Sequence, residues 1–398
     1  MTAPIDYRRR GQAVWLDSIS SKMIRSGQLA AQIESGAVYG VTSNPTIFGL
    51  AIKNNEGEYN ASIEKAAEGK DTFAIYDELT QLDIGEGADL FRKIHEKNPE
   101  DGWISLEVLP SLAADADKTV AEARRLHDAL HRPNVFIKVP ATAEGVDAIR
   151  RLIGEGISIN VTLMFNRKHY RDVATAYIEG LKEHASRGGD LSKVHSVASF
   201  FVSRVDTMID KRLDDLISGV SRSPRTPPGE SLSAEEKAQL VALKGKAGLA
   251  NCKVVYQDFL EIFGKEPFTS LKAKGARVQR PLWASTGTKN PAYSDLMYVE
   301  NLIGPDTVNT MPEKTLAALL DHGTCPGDTV LQDVDEARRT LAALKEAGID
   351  IEQVGEKLQE DGVVLFTKAY DELLSTIKER HDAVQKDHVT KKIATITS

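Results

Sequence analysis

Residues 135–140 read Val-Phe-Ile-Lys-Val-Pro, a short apolar run that is rich in β-branched side chains. Pro140 and the more polar stretch after it end the run, which is typical of a buried strand. Strands that are buried on both faces belong to parallel sheets covered by helices. The sequence therefore predicts a parallel sheet that carries a lysine, Lys138, in one of its strands.

Short apolar runs of this kind recur along the chain and alternate with longer segments of helical periodicity. The runs are residues 14–19, 37–43, 104–109, 135–139, 157–165, 194–202, 281–286 and 307–311. Alternating strands and helices imply right-handed βαβ units, and eight such units favour a closed (β/α)8 TIM barrel. The alternative is a doubly wound open sheet, but the phosphate-loop patterns GxGxxG and GxxxxGK(S/T) do not occur in the sequence.

We expect one barrel domain over residues 1–398. Its strands would span about 13–312, C-terminal helices about 313–386, and a polar tail 387–398. Residues 218–231 are rich in Ser, Pro, Gly and Arg, which predicts a surface loop inserted after strand six. Ser233 and Glu236 then show the spacing of a capping box that opens a helix.

Composition narrows the class of protein. The 398 residues are 41% hydrophobic and 27% charged, which is typical of a globular protein with a large core. The net charge of -8 argues against nucleic acid or an anionic membrane as the partner. Cys252 and Cys325 are far apart and form no CxxC pattern, so a disulfide framework is not expected and a reducing compartment fits.

Targeting signals are also not expected. Basic residues near the N-terminus are not followed by the apolar region of a secretory signal. The sequence contains no stretch of eighteen apolar residues that would span a bilayer. We therefore expect a cytoplasmic protein, a monomer or homodimer, that acts neither on nucleic acid nor in a membrane.

The lysine in the fourth run can be interpreted in two ways. Lysines are almost never fully buried unless they are paired. Burial disfavours the charged form of an amine, and a neutral amine attacks carbonyl carbons. Alternatively, the side chain of Lys138 extends from the strand end to water. The strand itself does not distinguish a nucleophile from a solvated lysine.

The chemistry of a TIM barrel lies at the C-terminal ends of its strands. We therefore look there for polar and aromatic candidates for the site. In strand order they are Asp17, Asn44, Glu107, Lys138, Asn160 and Thr162, Ser199 with Phe201 and Arg204, and Ser285 with Lys289. Together they place an amine, two carboxylates and several hydroxyl and amide groups around one barrel mouth. A buried lysine and a glutamate on adjacent strands are typical of a functional site.

Several of these residues also have ordinary structural explanations. Asp17 and Asn44 could each cap the helix that follows, and Pro45 strengthens this for Asn44. Glu107 could pair with a neighbouring cation, and Thr162 could form a local hydrogen bond. Only the combination favours a site.

The chemistry that these groups support is imine catalysis. Lys138 would attack a ketone, and the protonated imine would become an electron sink for a carbon–carbon bond that breaks or forms. Glu107 could move protons directly or through a water held by Thr162. Asp17 could take the proton of the hydroxyl group whose carbon leaves as an aldehyde.

The usual phosphate site of a barrel lies in the loops after strands seven and eight. Ser285 and Lys289 are available there, and Arg204 is the nearby guanidinium suited to a bidentate phosphate contact. The alternative for Arg204 is a salt bridge to Asp206 or Asp210.

A zinc site is not expected from the one histidine pair at helical spacing, His127 and His131. The glutamate of HExxH is absent and no third ligand follows, so a solvated helix face is the better interpretation.

Five motifs carry a resemblance to a known family. They are residues 15–18 (WLDS), 40–46 (GVTSNPT), 106–108 (LEV), 136–142 (FIKVPAT) and 159–163 (INVTL). In this order and spacing, over about residues 12–325, the sequence resembles the transaldolases, in particular their longer bacterial branch. The resemblance implies a (β/α)8 barrel that needs no metal or other cofactor. It also implies transfer of a dihydroxyacetone unit from sedoheptulose 7-phosphate to glyceraldehyde 3-phosphate in the non-oxidative pentose phosphate pathway.

The family pattern further implies roles for individual residues. Lys138 would form the Schiff base, Glu107 would act through a water held by Thr162, and Asp17 would handle the proton of the departing hydroxyl. The sugar-phosphate ligands implied by the same pattern are Asn44, Asn160 and Ser199 for the dihydroxyacetone unit and Arg204 for phosphate.

Two departures from the family matter. Its short enzymes have Ser-Pro-Phe after strand six, where this chain has Ser199-Phe200-Phe201. They also carry an arginine near strand seven, where this chain offers Lys289 as a substitute phosphate ligand.

Two alternative functions are less consistent with the sequence. The related fructose 6-phosphate aldolases have glutamine and tyrosine at the positions of Glu107 and Phe201, so both positions favour a transferase. A non-catalytic barrel that binds sugar phosphates would gain nothing from a desolvated Lys138.

Overall fold

The computed structural model describes residues 3–54, 56–66, 70–221 and 231–397. These residues form eight strands, β1 (Gln12–Leu16), β2 (Gly40–Val41), β3 (Trp103–Glu107), β4 (Val135–Pro140), β5 (Ile159–Met164), β6 (Ser196–Phe201), β7 (Arg280–Ala284) and β8 (Thr307–Met311). Each strand pairs in parallel with the next, and β8 pairs with β1, so the sheet closes. The predicted (β/α)8 barrel is confirmed.

The second strand is shorter than the expected run 37–43. Gly40 and Val41 alone form it, although the backbone amides of Tyr39 and Thr42 still donate to the carbonyls of Val14 and Leu16, at 2.8 and 2.9 Å. A Cβ on Gly40 would lie 2.5 Å from the ring of Trp15, so only glycine allows the chain to pass this close.

Helices lie before β1, in the connections between the strands, and in the C-terminal part of the chain. They are α1 (Ala3–Arg9), α2 (Ser21–Arg25), α3 (Gln28–Glu34), α4 (Pro45–Asn54), α5 (Glu56–Ala66), α6 (Thr72–Lys97), α7 (Ala116–Leu130), α8 (Ala143–Gly154), α9 (Arg167–Ser186), α10 (Ser203–Ile217), α11 (Ala234–Leu243), α12 (Ala247–Phe263), α13 (Phe268–Lys272), α14 (Met297–Glu300), α15 (Glu313–His322), α16 (Val334–Glu346) and α17 (Ile351–Thr397). Short 3₁₀ turns lie at Pro110–Leu112, Leu191–Lys193 and Thr329–Leu331. No helix among the described residues has the length and apolar character needed to cross a membrane.

Most of the predicted insertion, residues 222–230, lies outside the described residues. The capping box after it is present, because Ser233 Oγ accepts from the amide of Glu236 and the Ser233 amide donates to the Glu236 carboxylate. At the other end of the chain, α17 continues through 387–397, where we expected a polar tail beyond the last helix.

Period-two alternation along the strands divides the apolar side chains into two cores. In β4, Ile137 and Val139 belong to the large cluster between barrel and helices, whereas Phe136 belongs to the cluster inside the barrel. The rings of Phe136 and Trp103 stack there with centroids 4.0 Å apart. Lys138 lies two residues after Phe136, so its side chain projects to the same interior side of the barrel. It lies on the C-terminal side of the stacked aromatic rings.

Strand register places the polar residues of neighbouring strands at one level. Lys138 is paired with Glu107 of β3 and with Asn160 of β5. Because the side-chain period is two, Thr162 projects to the same side as Asn160, one layer closer to the C-terminal mouth. The fold thus brings the amine, the carboxylate and the hydroxyl to adjacent positions.

Candidate active site

Lys138 is buried and paired. The residue is 4% exposed, and its Nζ donates to Glu107 Oε2 and to the carbonyl oxygen of Ser43, both at 3.1 Å. Glu107 is 7% exposed. The alternative in which the lysine extends to open water is therefore wrong, since the amine stays at the barrel mouth with its two acceptors.

The carboxyl group of Glu107 lies in a low-dielectric position. Desolvation raises its pKa, and the neighbouring ammonium of Lys138 opposes that shift. A carboxylate whose pKa is raised accepts a proton more readily than an ordinary glutamate. Glu107 is therefore suited to exchange a proton with the amine that it touches.

Asp17 follows β1 and faces the same cavity. Its Oδ1 accepts a hydrogen bond of 2.6 Å from Thr42 Oγ1. Desolvation raises the pKa of Asp17, and the bond from Thr42 opposes the shift. Asp17 does not cap the next helix, because Ser20 is the N-cap of α2 and accepts from Met23 at 3.1 Å.

Asn44 has both a structural role, as a helix cap, and a position in the site. Its Oδ1 accepts from the amide of Ile47 at 3.1 Å, so it caps α4 as the sequence allowed. Asn44 also lines the cavity at the barrel mouth. Its amide nitrogen is the group that remains to meet a ligand.

Thr162 and Asn160 differ in how their polar atoms are satisfied. Among the described residues, Thr162 Oγ1 is buried and has no hydrogen-bond partner, so the alternative of a local hydrogen bond is not formed. Asn160 accepts from Ser199 Oγ at 2.7 Å and donates to Ser105 Oγ at 3.0 Å. Asn160 thus orients Ser199 from behind, and Thr162 keeps free hydrogen-bonding capacity towards the cavity.

Arg204 is directed to the cavity and not to its neighbours on α10. Asp206 accepts from the hydroxyl of Tyr298 at 2.7 Å, and Asp210 accepts from that of Tyr293 at 2.6 Å. Within the described part of the chain Arg204 forms no ion pair, so the salt bridge to Asp206 or Asp210 is not formed. Burial lowers the pKa of Arg204, but a guanidinium keeps its charge.

The β7 loop lies beside Arg204. Ser285 has a positive φ of 56°, an uncommon backbone conformation for serine, and its Oγ lies 2.9 Å from Ser203 Oγ. Lys289 is exposed and reaches the same cavity. A guanidinium, an ammonium and two hydroxyl groups therefore meet at one side of the mouth, a set that suits a phosphate group.

A cavity of about 360 Å³ unites these groups. Of the eleven residues predicted for the site, nine line it: Asp17, Asn44, Lys138, Thr162, Ser199, Phe201, Arg204, Ser285 and Lys289. The other two lie directly behind the lining residues. Glu107 accepts a hydrogen bond from Lys138, and Asn160 accepts one from Ser199. The structure thus brings the predicted residues into one site.

Some residues that contribute to the site were not among the predicted ones. Ser203 borders Ser285, and Thr310 bonds Thr42 at 2.7 Å between their hydroxyl oxygens. Thr310 is the last residue but one of β8, so the position of candidate residues at strand ends could have identified it. Phe366 lines the cavity from α17, and no local sequence pattern marks it.

The two histidines at helical spacing lie at the C-terminal end of α7. His127 lies in α7, and His131 ends that helix with a positive φ of 45°. Among the described residues, no group of three or more His, Cys, Asp or Glu side chains is placed to hold a metal ion.

Comparisons with known proteins identify the family of the chain. The sequence model of the family described as Transaldolase/Fructose-6-phosphate aldolase matches residues 14–377. The chain is 46% identical to a transaldolase of Saccharopolyspora erythraea over 94% of its length and 96% of that relative. It is 45% identical to one of Mycolicibacterium smegmatis over 94% and 96% of the two chains. Identity to one of Trichodesmium erythraeum is 41% over 94% and 97%.

Proposed function

The chain belongs to the transaldolase/fructose-6-phosphate aldolase family and acts as a transaldolase, and we propose that Lys138 carries its Schiff base. The reaction transfers a dihydroxyacetone unit from sedoheptulose 7-phosphate to glyceraldehyde 3-phosphate, which yields erythrose 4-phosphate and fructose 6-phosphate. The observation that supports Lys138 is its position, buried at the cavity and in contact with Glu107.

Imine formation begins with loss of a proton from the amine. Glu107 is the acceptor in contact with Nζ, and burial makes its carboxylate more basic than usual. The neutral amine then adds to the ketone carbon, and water leaves as the imine forms. The unpartnered Thr162 hydroxyl holds a water through which Glu107 moves these protons.

Cleavage requires a base on the hydroxyl of the carbon that departs. Asp17 faces the cavity and takes this proton while the adjacent carbon–carbon bond breaks and its electrons move into the iminium. The aldehyde leaves and an enamine remains on Lys138. The acceptor aldehyde then forms the new bond, and Asp17 returns the proton to its oxygen. Water adds to the iminium carbon of the product, the carbon–nitrogen bond breaks, and the ketose leaves with the amine of Lys138 regenerated in its protonated form.

The dihydroxyacetone unit is bound by amide and hydroxyl groups. Asn44 offers its amide nitrogen, because its oxygen caps α4. Ser199 donates to Asn160, so its oxygen is oriented to accept from a sugar hydroxyl. Phe201 forms an apolar wall beside them.

The phosphate group binds at the cationic side of the mouth. Arg204 supplies a guanidinium, and Ser285 and Lys289 of the β7 loop supply a hydroxyl and an ammonium. Because Lys289 is exposed, we expect it to contribute less than the buried Arg204.

The composition of the chain supports a cellular location. Two cysteines without a disulfide pattern and an acidic net charge of -8 support a protein of the cytoplasm, and we propose a monomer or a homodimer there.

One experiment separates the transferase from the alternatives. The protein is incubated with fructose 6-phosphate, with and without erythrose 4-phosphate, and glyceraldehyde 3-phosphate is followed. We expect turnover only with the acceptor. Equal turnover without it would indicate an aldolase, and no turnover in either case would indicate a binding protein.

Borohydride trapping tests the mechanism itself. Reduction in the presence of fructose 6-phosphate should fix a covalent adduct that peptide mass spectrometry assigns to Lys138. An adduct on any other lysine would overturn the proposed Schiff-base residue.

A further inference from the structure

Phe366 covers the site from a helix that belongs to none of the eight βα units. Its ring is 5% exposed and lines the cavity. Lys138 Nζ lies 5.7 Å from the ring centroid, and the Cζ of Arg204 lies 5.9 Å from it. Both distances are within the range of cation–π attraction. One aromatic ring therefore contacts both the lysine and the guanidinium of the site.

Two glycines let α17 approach the barrel closely. A Cβ on Gly362 would lie 2.9 Å from Leu163 Cδ2, and one on Gly355 would lie 2.5 Å from Asn166 Cβ. Leu163 directly follows Thr162 and has a positive φ of 59°. The helix therefore rests on the end of β5, and at Gly355 the separation is too small for a larger residue unless Asn166 moves.

Between the two glycines, the side chain of Gln359 binds α17 to the barrel by two hydrogen bonds. Gln359 Nε2 donates to the carbonyl oxygens of Ala141 and Leu163, at 2.9 and 3.0 Å. Gln359, Gly362 and Phe366 follow each other at three- and four-residue spacing, so they share one face of α17. Contacts at β4 and β5 thus determine where the ring of Phe366 lies.

We propose that Phe366 is a positioning residue that keeps bulk water from the covalent intermediate on Lys138 and so directs this intermediate to the acceptor aldehyde. The inference rests on the proposed role of Lys138. An iminium nitrogen keeps a positive charge, which the ring face attracts. The ring also fills the space through which bulk water would reach the nitrogen, and it holds Arg204 beside the acceptor's phosphate.

The competing reaction consumes water. The enamine carbon takes a proton, water adds to the resulting iminium carbon, and the carbon–nitrogen bond breaks. Dihydroxyacetone is released and the amine of Lys138 is regenerated with a proton. Each such event replaces one transfer to the acceptor, so the ratio of released dihydroxyacetone to transferred product reports access of water.

The test measures this ratio in four variants, with fructose 6-phosphate as donor and erythrose 4-phosphate as acceptor. Phe366→Ala should raise the ratio about tenfold, and Phe366→Leu, which keeps an apolar cover without the ring face, should raise it less. Gly355→Ala keeps the ring, but its methyl group would overlap Asn166 and displace the helix, so it should also raise the ratio. Leu365→Ala removes the exposed neighbouring side chain and should leave the ratio unchanged.

Thermal unfolding and borohydride trapping accompany each measurement. If Phe366→Ala is folded and trapped at Lys138 with the unchanged ratio, Phe366 is not a cover and the proposed function stands. If the unmodified protein gives no adduct at Lys138, the proposed function itself fails. Should Phe366→Ala not fold, Phe366→Leu and Gly355→Ala decide, and an unchanged ratio in both would overturn the inference.

Discussion

Glu107 Oε2 lies 3.1 Å from Lys138 Nζ, and the two residues are paired in register between β3 and β4. Both side chains are almost fully buried, so neither exchanges its partner for bulk water. Removing one member of a buried pair leaves the other uncompensated. The pair is therefore expected to act as a unit in catalysis and in stability.

Glu107→Gln should lower kcat by about 10²–10⁴-fold, because an amide cannot accept the proton of the amine. Steady-state kinetics should show a much smaller change in KM. Burial raises the pKa of Glu107, so the acidic limb of the wild-type profile of kcat/KM should lie above 4.5, the ordinary value for glutamate. Glu96→Gln on the exposed face of α6 is the matched control. A wild-type kcat in Glu107→Gln would exclude the proposed acid/base role.

Thr162→Val should lower the activity of the protein without lowering its stability. The change keeps the volume and removes a hydroxyl that has no partner among the described residues. We expect kcat to fall by about tenfold or more because the bound water is lost. The free energy of unfolding should stay equal or rise by about 1 kcal/mol, since burial of an unsatisfied hydroxyl is unfavourable. Thr175→Val, at an exposed position of α9, serves as control. Full activity of Thr162→Val would remove the water-holding role.

Arg204→Lys should weaken binding of phosphorylated substrates selectively. An ammonium cannot reproduce the bidentate contact of a guanidinium, so KM for fructose 6-phosphate should rise by about tenfold or more. Turnover of unphosphorylated fructose should change little. Lys211→Ala tests a general charge effect, because Lys211 is exposed on the same helix. Equal losses with fructose and its phosphate would show that Arg204 does not read the phosphate.

Stability should depend on pH through His195, which is buried at the N-terminal end of the barrel with its ring 5.0 Å from Trp103. Desolvation lowers the pKa of His195 from 6.5 to about 3. Below pH 6.5 the unfolded chain therefore binds a proton that the folded chain does not. The stabilisation is complete above pH 6.5 and is lost as the pH falls towards 3, by roughly 3–5 kcal/mol.

Urea unfolding between pH 4 and 8 measures this effect. His195→Gln should flatten the dependence of the unfolding free energy on pH over that interval. His127→Gln, at an exposed position of α7, should leave the dependence unchanged. Parallel curves for His195→Gln and the wild type would mean that another group causes the acid sensitivity.

The eight strands and the layer of polar residues at their ends were determined by local sequence. Apolar runs of period two, separated by helical segments, permit few arrangements, because each strand must bury both faces. Once the barrel was predicted, Lys138 and Glu107 had to project from adjacent strands towards one mouth. Short-range patterns were sufficient for this part of the site.

The tertiary structure alone decided the environment of each group. Whether Lys138 reaches water, and whether Arg204 pairs with Asp206 or faces the cavity, depends on which surfaces pack around them. Phe366 reaches Lys138 only because α17 rests against the end of β5. Contacts between residues so far apart in the chain arise from the packing of whole helices, which no local pattern of residues specifies.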